Sequence, residues 1–411
     1  MRKYILTLNF AAIILFGGNT QLMAQTPLDI SGIESWPELH NSVLEWEGGA
    51  FSVSIDPSNP YDLSWGVYNP DDHNVYGDSL YIVQFPAPSL EYKQFFLEEL
   101  VNGMFKFHYA DIDGSNAQTI IVDKDDFEGK NFGHFSFYYE DVNHDIEPAT
   151  ADWDIVFTRY NRPVDHYGVA GVLSNKHVLV AEVAEMDTNL VVPADLEYSE
   201  EINTIGYDWK YFGASGFEVE EDRSYYLIDE TEDTAVVIFH EFSGSGGGGI
   251  CKFTVNGEMK TIEMGTGYVD RVFYSLQDGI VHTSDRNGWD LAFDGTSFGT
   301  NVRTNEEIGI RLWIYPHADK GIWNTAAKLD ENATNTVNVF PNPSRNNLNI
   351  QTNFDSAFRV ELFNELGQLV MGQEVANGNQ TQLNIQDLPQ GTYVVKVGNN
   401  NTSTHHRIVK M

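Results

Sequence analysis

The sequence predicts an all-β fold, and three observations support this. The 411 residues include 35 Gly, 25 Phe and 20 Tyr, a composition typical of strands joined by turns. Short apolar or alternating runs recur along the chain, for example at residues 80–85, 104–109 and 308–314. Helical periodicity is weak, and only residues 90–100 hint at a helix. We therefore expect antiparallel sandwich or barrel-like β modules.

Residues 1–24 have the layout of a secretory signal peptide. Arg2 and Lys3 give a basic start, residues 4–16 are mostly apolar, and a small-residue cleavage site precedes Gln25. The apolar run is too short to span a bilayer comfortably. We expect an exported mature chain with no transmembrane segment.

The charge of the chain is strongly negative and unevenly placed. Sixty acidic residues stand against 24 basic ones, which gives a formal net charge of −36. This argues against a nucleic-acid partner, because phosphate binding needs clustered Lys and Arg. The tail, residues 337–411, is neutral and therefore differs from the acidic residues before it. The change predicts a domain boundary, with residues 326–336 as the linker.

A Trp-Asp motif occurs twice in the middle of the chain. An aromatic run at residues 135–139 precedes Trp-Asp-Ile-Val-Phe at 153–157, and a second one at 273–275 precedes Trp-Asp-Leu-Ala-Phe at 289–293. The two copies indicate an internal duplication, and alternation within each strand predicts that Trp and the aliphatic residue share a face. Because Asp154 and Asp290 hold equivalent positions, we expect a shared structural hydrogen bond rather than a catalytic carboxylate pair.

The sequence offers little catalytic chemistry. It has no nucleophile elbow, no His-Glu-x-x-His motif and no phosphate-binding loop. The glycine-rich residues 243–249 favour a turn or bulge between strands. The single cysteine, Cys251, excludes an internal disulfide and a multi-thiolate metal site, and we interpret it as a core residue. We therefore predict a chain that is not an enzyme, with no catalytic residues and no metal site.

The tail carries a series of motifs in a fixed order. Alternating runs separated by turn residues predict a small, Ig-like antiparallel sandwich. Together the motifs resemble the C-terminal sorting domain of type IX secretion substrates in Bacteroidetes. The resemblance implies type IX secretion machinery as a partner and a location outside the cell or on its outer surface. The motif residues are Pro341, Asn342, Pro343, Gly367, Gly391, Tyr393, Lys396 and Lys410.

The middle of the chain resembles a second family. Residues 153–160, 168–175 and 239–244 carry its main motifs. Their order is similar to the HmuY-like proteins of Bacteroidetes, whose founding members are all-β proteins that bind haem between two histidines. The resemblance implies a haem or porphyrin ligand. Here, however, residues 185–236 contain no histidine, so the ligand pair does not carry over. The histidines left as candidate ligands are His134, His166 and His177.

These observations lead to a division of the chain and to three hypotheses for its function. The leading hypothesis is an exported, non-enzymatic β-protein of the HmuY-like type that binds haem or a porphyrin. The alternatives are a glycan-binding surface module that stacks sugars on exposed aromatic rings, and a secreted hydrolase of unrecognised type. The predicted parts are the signal peptide at 1–24, an N-terminal β region at 25–128, an HmuY-like core at 129–255, a second Trp-Asp module at 256–325, the linker at 326–336 and the sorting domain at 337–411.

Overall fold

A computed structural model describes most of the chain after the predicted signal peptide. The chain divides into two compact units, Met1–Ala326 and Ala327–Met411. The predicted signal peptide and the whole of the predicted linker lie outside the described residues. The described ranges are 27–52, 58–86, 91–229, 234–316 and 337–411, the last without 342–343, 353, 355–356, 365–368, 377–378, 387 and 399–402.

The described chain is all-β, as predicted, and its strand ladders are antiparallel. The strands of the first unit are β1 Glu38–Leu39, β2 Gly66–Asn69, β3 Asn74–Gly77, β4 Leu80–Gln84, β5 Tyr92–Val101, β6 Met104–Asp111, β7 Gln118–Asp123, β8 Phe132–Ser136, β9 Asp141–Asn143, β10 Ile155–Asn161, β11 Gly168–Ser174, β12 Leu179–Val183, β13 Lys210–Gly213, β14 Gly216–Val219, β15 Ser224–Ile228, β16 Thr234–Phe242, β17 Ile250–Val255, β18 Glu258–Glu263, β19 Asp270–Ser275, β20 Gly279–Asp285, β21 Leu291–Asp294, β22 Val302–Thr304 and β23 Arg311–Ile314. Short 3-10 helices lie at Ile33–Ser35, Ala50–Ser52, Lys124–Phe127, Thr150–Asp152, Thr188–Leu190, Pro193–Asp195, Ser245–Gly247, Arg286–Gly288 and Glu306–Ile308.

The hint of a helix at residues 90–100 is wrong, because β5 covers Tyr92–Val101. The ladder between β5 and β6 shifts register between Leu97 and Glu99. Such a bulge adds one residue to a strand and breaks the two-residue alternation. The apolar residues on either side of it then fall at a spacing that imitates a helix.

The first unit is built from two repeats whose strands are exchanged. Residues 80–183 supply β4–β12 and residues 224–314 supply β15–β23, nine strands each in the same order. The closing strand β12 of the first repeat pairs with β15 of the second, and β23 of the second pairs with β4 of the first. The predicted duplication is therefore confirmed, and each repeat completes the outer sheet of the other.

The exchange also runs through two inner sheets. In the first inner sheet the order is β22-β21-β8-β9, and in the second it is β11-β10-β19-β20. The Trp-Asp strand of each repeat thus pairs with the aromatic strand of the other, Leu291 opposite Phe135 and Ile155 opposite Tyr274. The matched outer sheets run β23-β4-β5-β6-β7 and β12-β15-β16-β17-β18. The first outer sheet also gains β1, β2 and β3, while β13 and β14 form a separate hairpin.

Each inner sheet is covered on both faces. On β10, Ile155 and Phe157 pack in the core shared with the second outer sheet, whereas Val156 packs in a central core between the two inner sheets. Trp153 joins the central core, because it precedes the strand and does not follow its alternation. The prediction that Trp and the aliphatic residue share a face is therefore wrong. The strands read as continuous apolar runs since both faces are buried.

The second unit is a sandwich of two sheets around one apolar core, as the alternating runs predicted. One sheet has the order β24-β25-β28 and the other β27-β26-β29-β30. Its strands are β24 Val337–Phe340, β25 Asn347–Thr352, β26 Phe358–Asn364, β27 Leu369–Val375, β28 Gln380–Asn384, β29 Gly391–Gly398 and β30 Ser403–Lys410.

Candidate functional site

The two Trp-Asp motifs, residues 153–154 and 289–290, form equivalent structures directly before strands β10 and β21, here called corners. The carboxylate of Asp154 accepts a hydrogen bond from the Leu276 backbone N–H at 2.6 Å, and that of Asp290 accepts one from the Phe137 N–H at 2.7 Å. The predicted shared hydrogen bond is therefore confirmed, and it joins one repeat to the other in both cases.

A buried asparagine completes each corner. Asn175 Nδ2 donates to the carbonyl oxygens of Thr150 and Trp153 at 2.9 and 2.8 Å. Asn305 Nδ2 donates to those of Arg286 and Trp289 at 2.7 and 2.8 Å. Both side chains are almost fully buried, so these bonds fix the entry of each inner strand.

A cavity with a volume of about 60 Å³ lies in the central core between the inner sheets. Its lining combines aromatic rings with ionisable side chains. Of these lining residues, His134 is the only one that the sequence marks as a candidate ligand. The residues that surround it are Asn41, Val43, Trp46, Phe132, His134, Thr158, Tyr160, Asn161, Leu173, Arg271, Trp289, Ala292, Arg303, Thr304, Glu306 and Glu307.

Arg271 is the centre of the charged side of this cavity. Its Nη1 donates to His134 Nε2 at 3.3 Å, and its Nε lies 3.7 Å from Glu307 Oε1. The guanidinium group also lies 5.2 Å from the ring centre of Phe273 and 5.5 Å from that of Trp289. Burial, with Arg271 beside it, holds the pKa of His134 well below its ordinary value, so this ring is neutral.

A second buried arginine serves the structure rather than the cavity. The Arg303 guanidinium donates to the carbonyl oxygens of Ser42, Glu45, Trp46 and Gly48 at 2.6–3.2 Å. These bonds hold the N-terminal segment over the central core. Burial lowers the pKa of Arg303 to about 10, which leaves it charged at neutral pH.

Glu147 is a buried carboxyl group with an unusual titration. Burial raises its pKa from 4.5 to about 7, although Arg271 opposes the shift. The folded state therefore holds this proton more tightly than the unfolded chain does. Its contribution to stability is complete below pH 4.5, falls as the pH rises, and is lost above pH 7.

We predict that Glu147→Gln flattens the pH dependence of stability between pH 4.5 and 7. In wild type, Glu147 should lower the free energy of unfolding by up to about 3 kcal/mol as the pH rises across this window. The amide imitates the protonated acid and does not titrate, so this decrease should be absent in the variant. Urea unfolding followed by tryptophan fluorescence measures it, since all eight tryptophans precede the tail. Glu128→Gln, at an exposed position, is the control. Equal slopes in wild type and Glu147→Gln would contradict the prediction.

The three candidate histidines have separate partners. His134 is buried and accepts from Arg271, while His177 Nε2 lies 3.3 Å from Asp154 Oδ1. His166 is exposed and stacks on His40 with 3.4 Å between ring centres.

This arrangement does not fit haem. Axial ligation needs a free ring nitrogen facing the iron, but the cation Arg271 occupies that of His134. The cavity beside His134 is also far below the size of about 300 Å³ or more of sites for larger organic ligands. Within the described residues, no group of three or more His, Cys, Asp or Glu could hold a metal ion. We derive no haem chemistry from these side chains.

A second candidate site, here called the aromatic patch, is a group of three exposed rings, Tyr167, Phe212 and Phe217, and two half-buried ones, Tyr207 and Tyr268. Phe212 is 77% exposed and Tyr167 is 64% exposed. Phe212 and Phe217 face each other across the β13–β14 hairpin with 5.3 Å between ring centres. The sequence did not mark these residues, because single exposed rings are common in any chain.

Contacts behind the surface hold the patch together. The Arg162 guanidinium lies 5.5 Å from the ring centre of Tyr167 and 6.0 Å from that of Tyr207. Phe242 packs against both Phe217 and Tyr268, with ring centres 5.1 and 5.9 Å away. Arg162 therefore supports Tyr167 and Tyr207, and Phe242 supports Phe217 and Tyr268.

The buried Lys210 fixes the base of the hairpin that carries Phe212 and Phe217. Its Nζ donates to the carbonyl oxygens of Ala170 and Tyr207 at 2.6 and 3.2 Å. Burial lowers the pKa of Lys210 to about 7. Its aromatic neighbours include Trp209, whose ring centre lies 4.2 Å from Nζ.

The structure places five of the eight tail motif residues. Pro341 follows β24, and Gly391 opens β29. Tyr393 is buried and its hydroxyl donates to the Pro389 carbonyl oxygen at 2.9 Å. Lys396 lies opposite Glu361 in the ladder, and Lys410 ends β30 with its side chain largely buried. Asn342, Pro343 and Gly367 lie outside the described residues.

The tail motif also has a counterpart among known families. Residues 338–411 match the family described as "Secretion system C-terminal sorting domain". The tail is a type IX sorting domain. This domain marks the chain as a secreted or cell-surface protein that engages the type IX machinery. Among the described residues, no helix has the length and apolar character needed to cross a membrane.

The family match covers only the tail and no part of the first unit, Met1–Ala326, which is here called the acidic unit. The family matches give no support to the HmuY-like resemblance. No curated protein matches the chain. A solved structure titled "Biofilm associated protein - BSP domain" aligns over 82% of this chain and 92% of its own length, at 9% identity and a TM-score of 0.17. At this TM-score the alignment carries no information about the function of the chain.

Proposed function

We propose that the chain is an exported carbohydrate-binding protein that presents the aromatic patch outside the cell. The observation that carries the proposal is the exposure of Tyr167 and Phe212 on a supported ring cluster. Clustered exposed apolar rings, unlike rings scattered singly over a surface, mark sites of interaction. A secreted or cell-surface location supplies carbohydrate as an abundant partner.

The chemistry of the patch suits sugars better than an apolar partner. Aromatic faces stack on the C–H faces of sugar rings. Polar groups flank the rings, including Arg162, which forms a bidentate pair with Asp165, and Glu218, which accepts from the Tyr211 hydroxyl at 2.9 Å. Such groups can exchange hydrogen bonds with sugar hydroxyls. The described tryptophans do not supply the stacking surface, since six of seven are buried and Trp36 is half-buried.

The proposed export route uses both ends of the chain. Residues 1–24 act as a signal peptide for passage into the periplasm, and the sorting domain then directs passage through the outer membrane. The resemblance of the tail to type IX substrates further suggests removal of the sorting domain and linkage of the acidic unit to surface lipopolysaccharide. An acidic, well-solvated surface keeps such a cargo soluble outside the cell.

The HmuY-like core and its haem ligand remain predictions from sequence. Haemin is therefore the competing ligand in any binding experiment on this protein. A saturable Soret shift on titration with haemin would favour the haem hypothesis over the carbohydrate one.

A glycan array probed with the secreted protein tests the carbohydrate proposal. We expect wild type to bind a defined set of glycans and the double variant Tyr167→Ser, Phe212→Ser to bind them at least about tenfold more weakly, because two stacking faces are lost. Phe298→Ser is the matched control, since this ring is 97% exposed but lies outside the patch. Absence of any glycan signal for wild type would overturn the proposal.

A further inference from the structure

The two repeats differ at the central cavity. Phe135 and Tyr274 are equivalent, because each pairs with the first residue of the Trp-Asp strand of the other repeat. Phe132 and Arg271 each lie three residues before them and are therefore equivalent as well. By the same register His134 corresponds to Phe273. At each of these two positions one repeat has a phenylalanine where the other has an ionisable side chain, and both arginine and histidine are expensive to bury.

Four polar atoms of the cavity lining have no hydrogen-bond partner. They are Arg271 Nε, Trp289 Nε1, Thr304 Oγ1 and the Tyr160 hydroxyl. All four residues are more than nine-tenths buried and line the cavity. An unpaired buried donor costs about 1–3 kcal/mol, so such groups are normally satisfied in native proteins. The Nε and Nε1 atoms can only donate, and an occupant must therefore offer acceptor atoms.

The cationic Arg271 favours an anionic acceptor, because hydrogen bonds between charged groups are stronger than those between neutral ones. Glu307 lies close to three arginines, Arg159, Arg271 and Arg286. The lining itself holds two arginines, Arg271 and Arg303, and two glutamates, Glu306 and Glu307.

We propose that the central cavity binds a small carboxylate, whose oxygens accept hydrogen bonds from Arg271 Nε and Trp289 Nε1. The volume of about 60 Å³ limits the ligand to the size of acetate or glycolate, or to the carboxylate end of a larger acid. The half-buried lining residues Asn41, Asn161 and Glu306 mark the side nearest to solvent. No residue of the aromatic patch lines the cavity, although Tyr207 contacts the lining residue Tyr160, and the proposal does not depend on the carbohydrate proposal.

Titration of the purified full chain with sodium acetate and sodium glycolate tests this site. Isothermal calorimetry and saturation-transfer NMR are the readouts, with sodium chloride at equal ionic strength and neutral acetamide as controls. We expect saturable binding of a carboxylate and none of acetamide. Trp289→Phe should weaken binding about tenfold and Thr304→Val about three- to tenfold, since each removes one buried hydrogen bond.

The equivalence of the two repeats supplies a matched control variant. Trp153 is the counterpart of Trp289 and does not line the cavity, so Trp153→Phe should leave carboxylate binding unchanged. Equal weakening by the two Trp variants would overturn the proposal, as would equal binding of acetamide and acetate. A crystal grown with acetate that shows ordered water only in the cavity would also overturn it.

Discussion

Ending the chain after Thr336 is expected to abolish its appearance on the cell surface and in the medium. The sorting domain occupies residues 338–411, and its core is separate from those of the acidic unit. The truncated chain should therefore fold and accumulate inside the cell envelope. Immunoblots of cells, envelope fractions and medium measure the change, which should be a loss of nearly all external protein.

The reciprocal fusion is the control for this prediction. A reporter carrying residues 1–24 at its start and 337–411 at its end should reach the outside, whereas the reporter with residues 1–24 alone should not. Truncated protein outside the cell at the wild-type level would contradict the assignment of the tail.

Replacing either corner asparagine is expected to destabilise the acidic unit strongly. Asn175→Ala and Asn305→Ala each remove the donor to one buried and one partly buried carbonyl oxygen, at a cost of about 2–4 kcal/mol. Asn175 should be the more sensitive, because its Oδ1 also accepts from Asn131 Nδ2 and from the Lys176 N–H, both at 2.8 Å. By contrast, Asn305 Oδ1 has no hydrogen-bond partner.

Equilibrium unfolding in urea, followed by tryptophan fluorescence, measures these costs. Asn287→Ala is the control, since this exposed side chain binds only Asp285 of the neighbouring turn. A change of less than about 0.5 kcal/mol for both buried variants, as is usual for surface substitutions, would show that the corners do not stabilise the exchanged repeats.

The fold class and the duplication could be predicted from the sequence because both depend on short local patterns. Alternating runs give strands, and the two Trp-Asp motifs repeat at equivalent positions. The exchange of strands could not be predicted, because the sequence of an apolar strand such as β10 does not specify which strand it pairs with. The bulge near Leu97 could not be predicted for the same reason, since a register shift is a property of two paired strands. It led to the wrong hint of a helix at residues 90–100.

The candidate site was less predictable than the fold. His134 was found because histidine is a chemically marked residue, but Arg271 and Trp289 lie far from it in sequence. The signal that could have found Arg271 is the repeat itself: it stands where the other copy has Phe132. The aromatic patch depends on exposure, which no local pattern encodes.

Calorimetric titration of the secreted protein with its best array glycan tests the central claim most directly. The account predicts saturable binding by wild type and Phe298→Ser, and at least about tenfold weaker binding by Tyr167→Ser, Phe212→Ser. Unchanged affinity in the double variant would contradict the role of the aromatic patch. A protein that binds no glycan but binds haemin with a saturable Soret shift would contradict the proposed function as a whole.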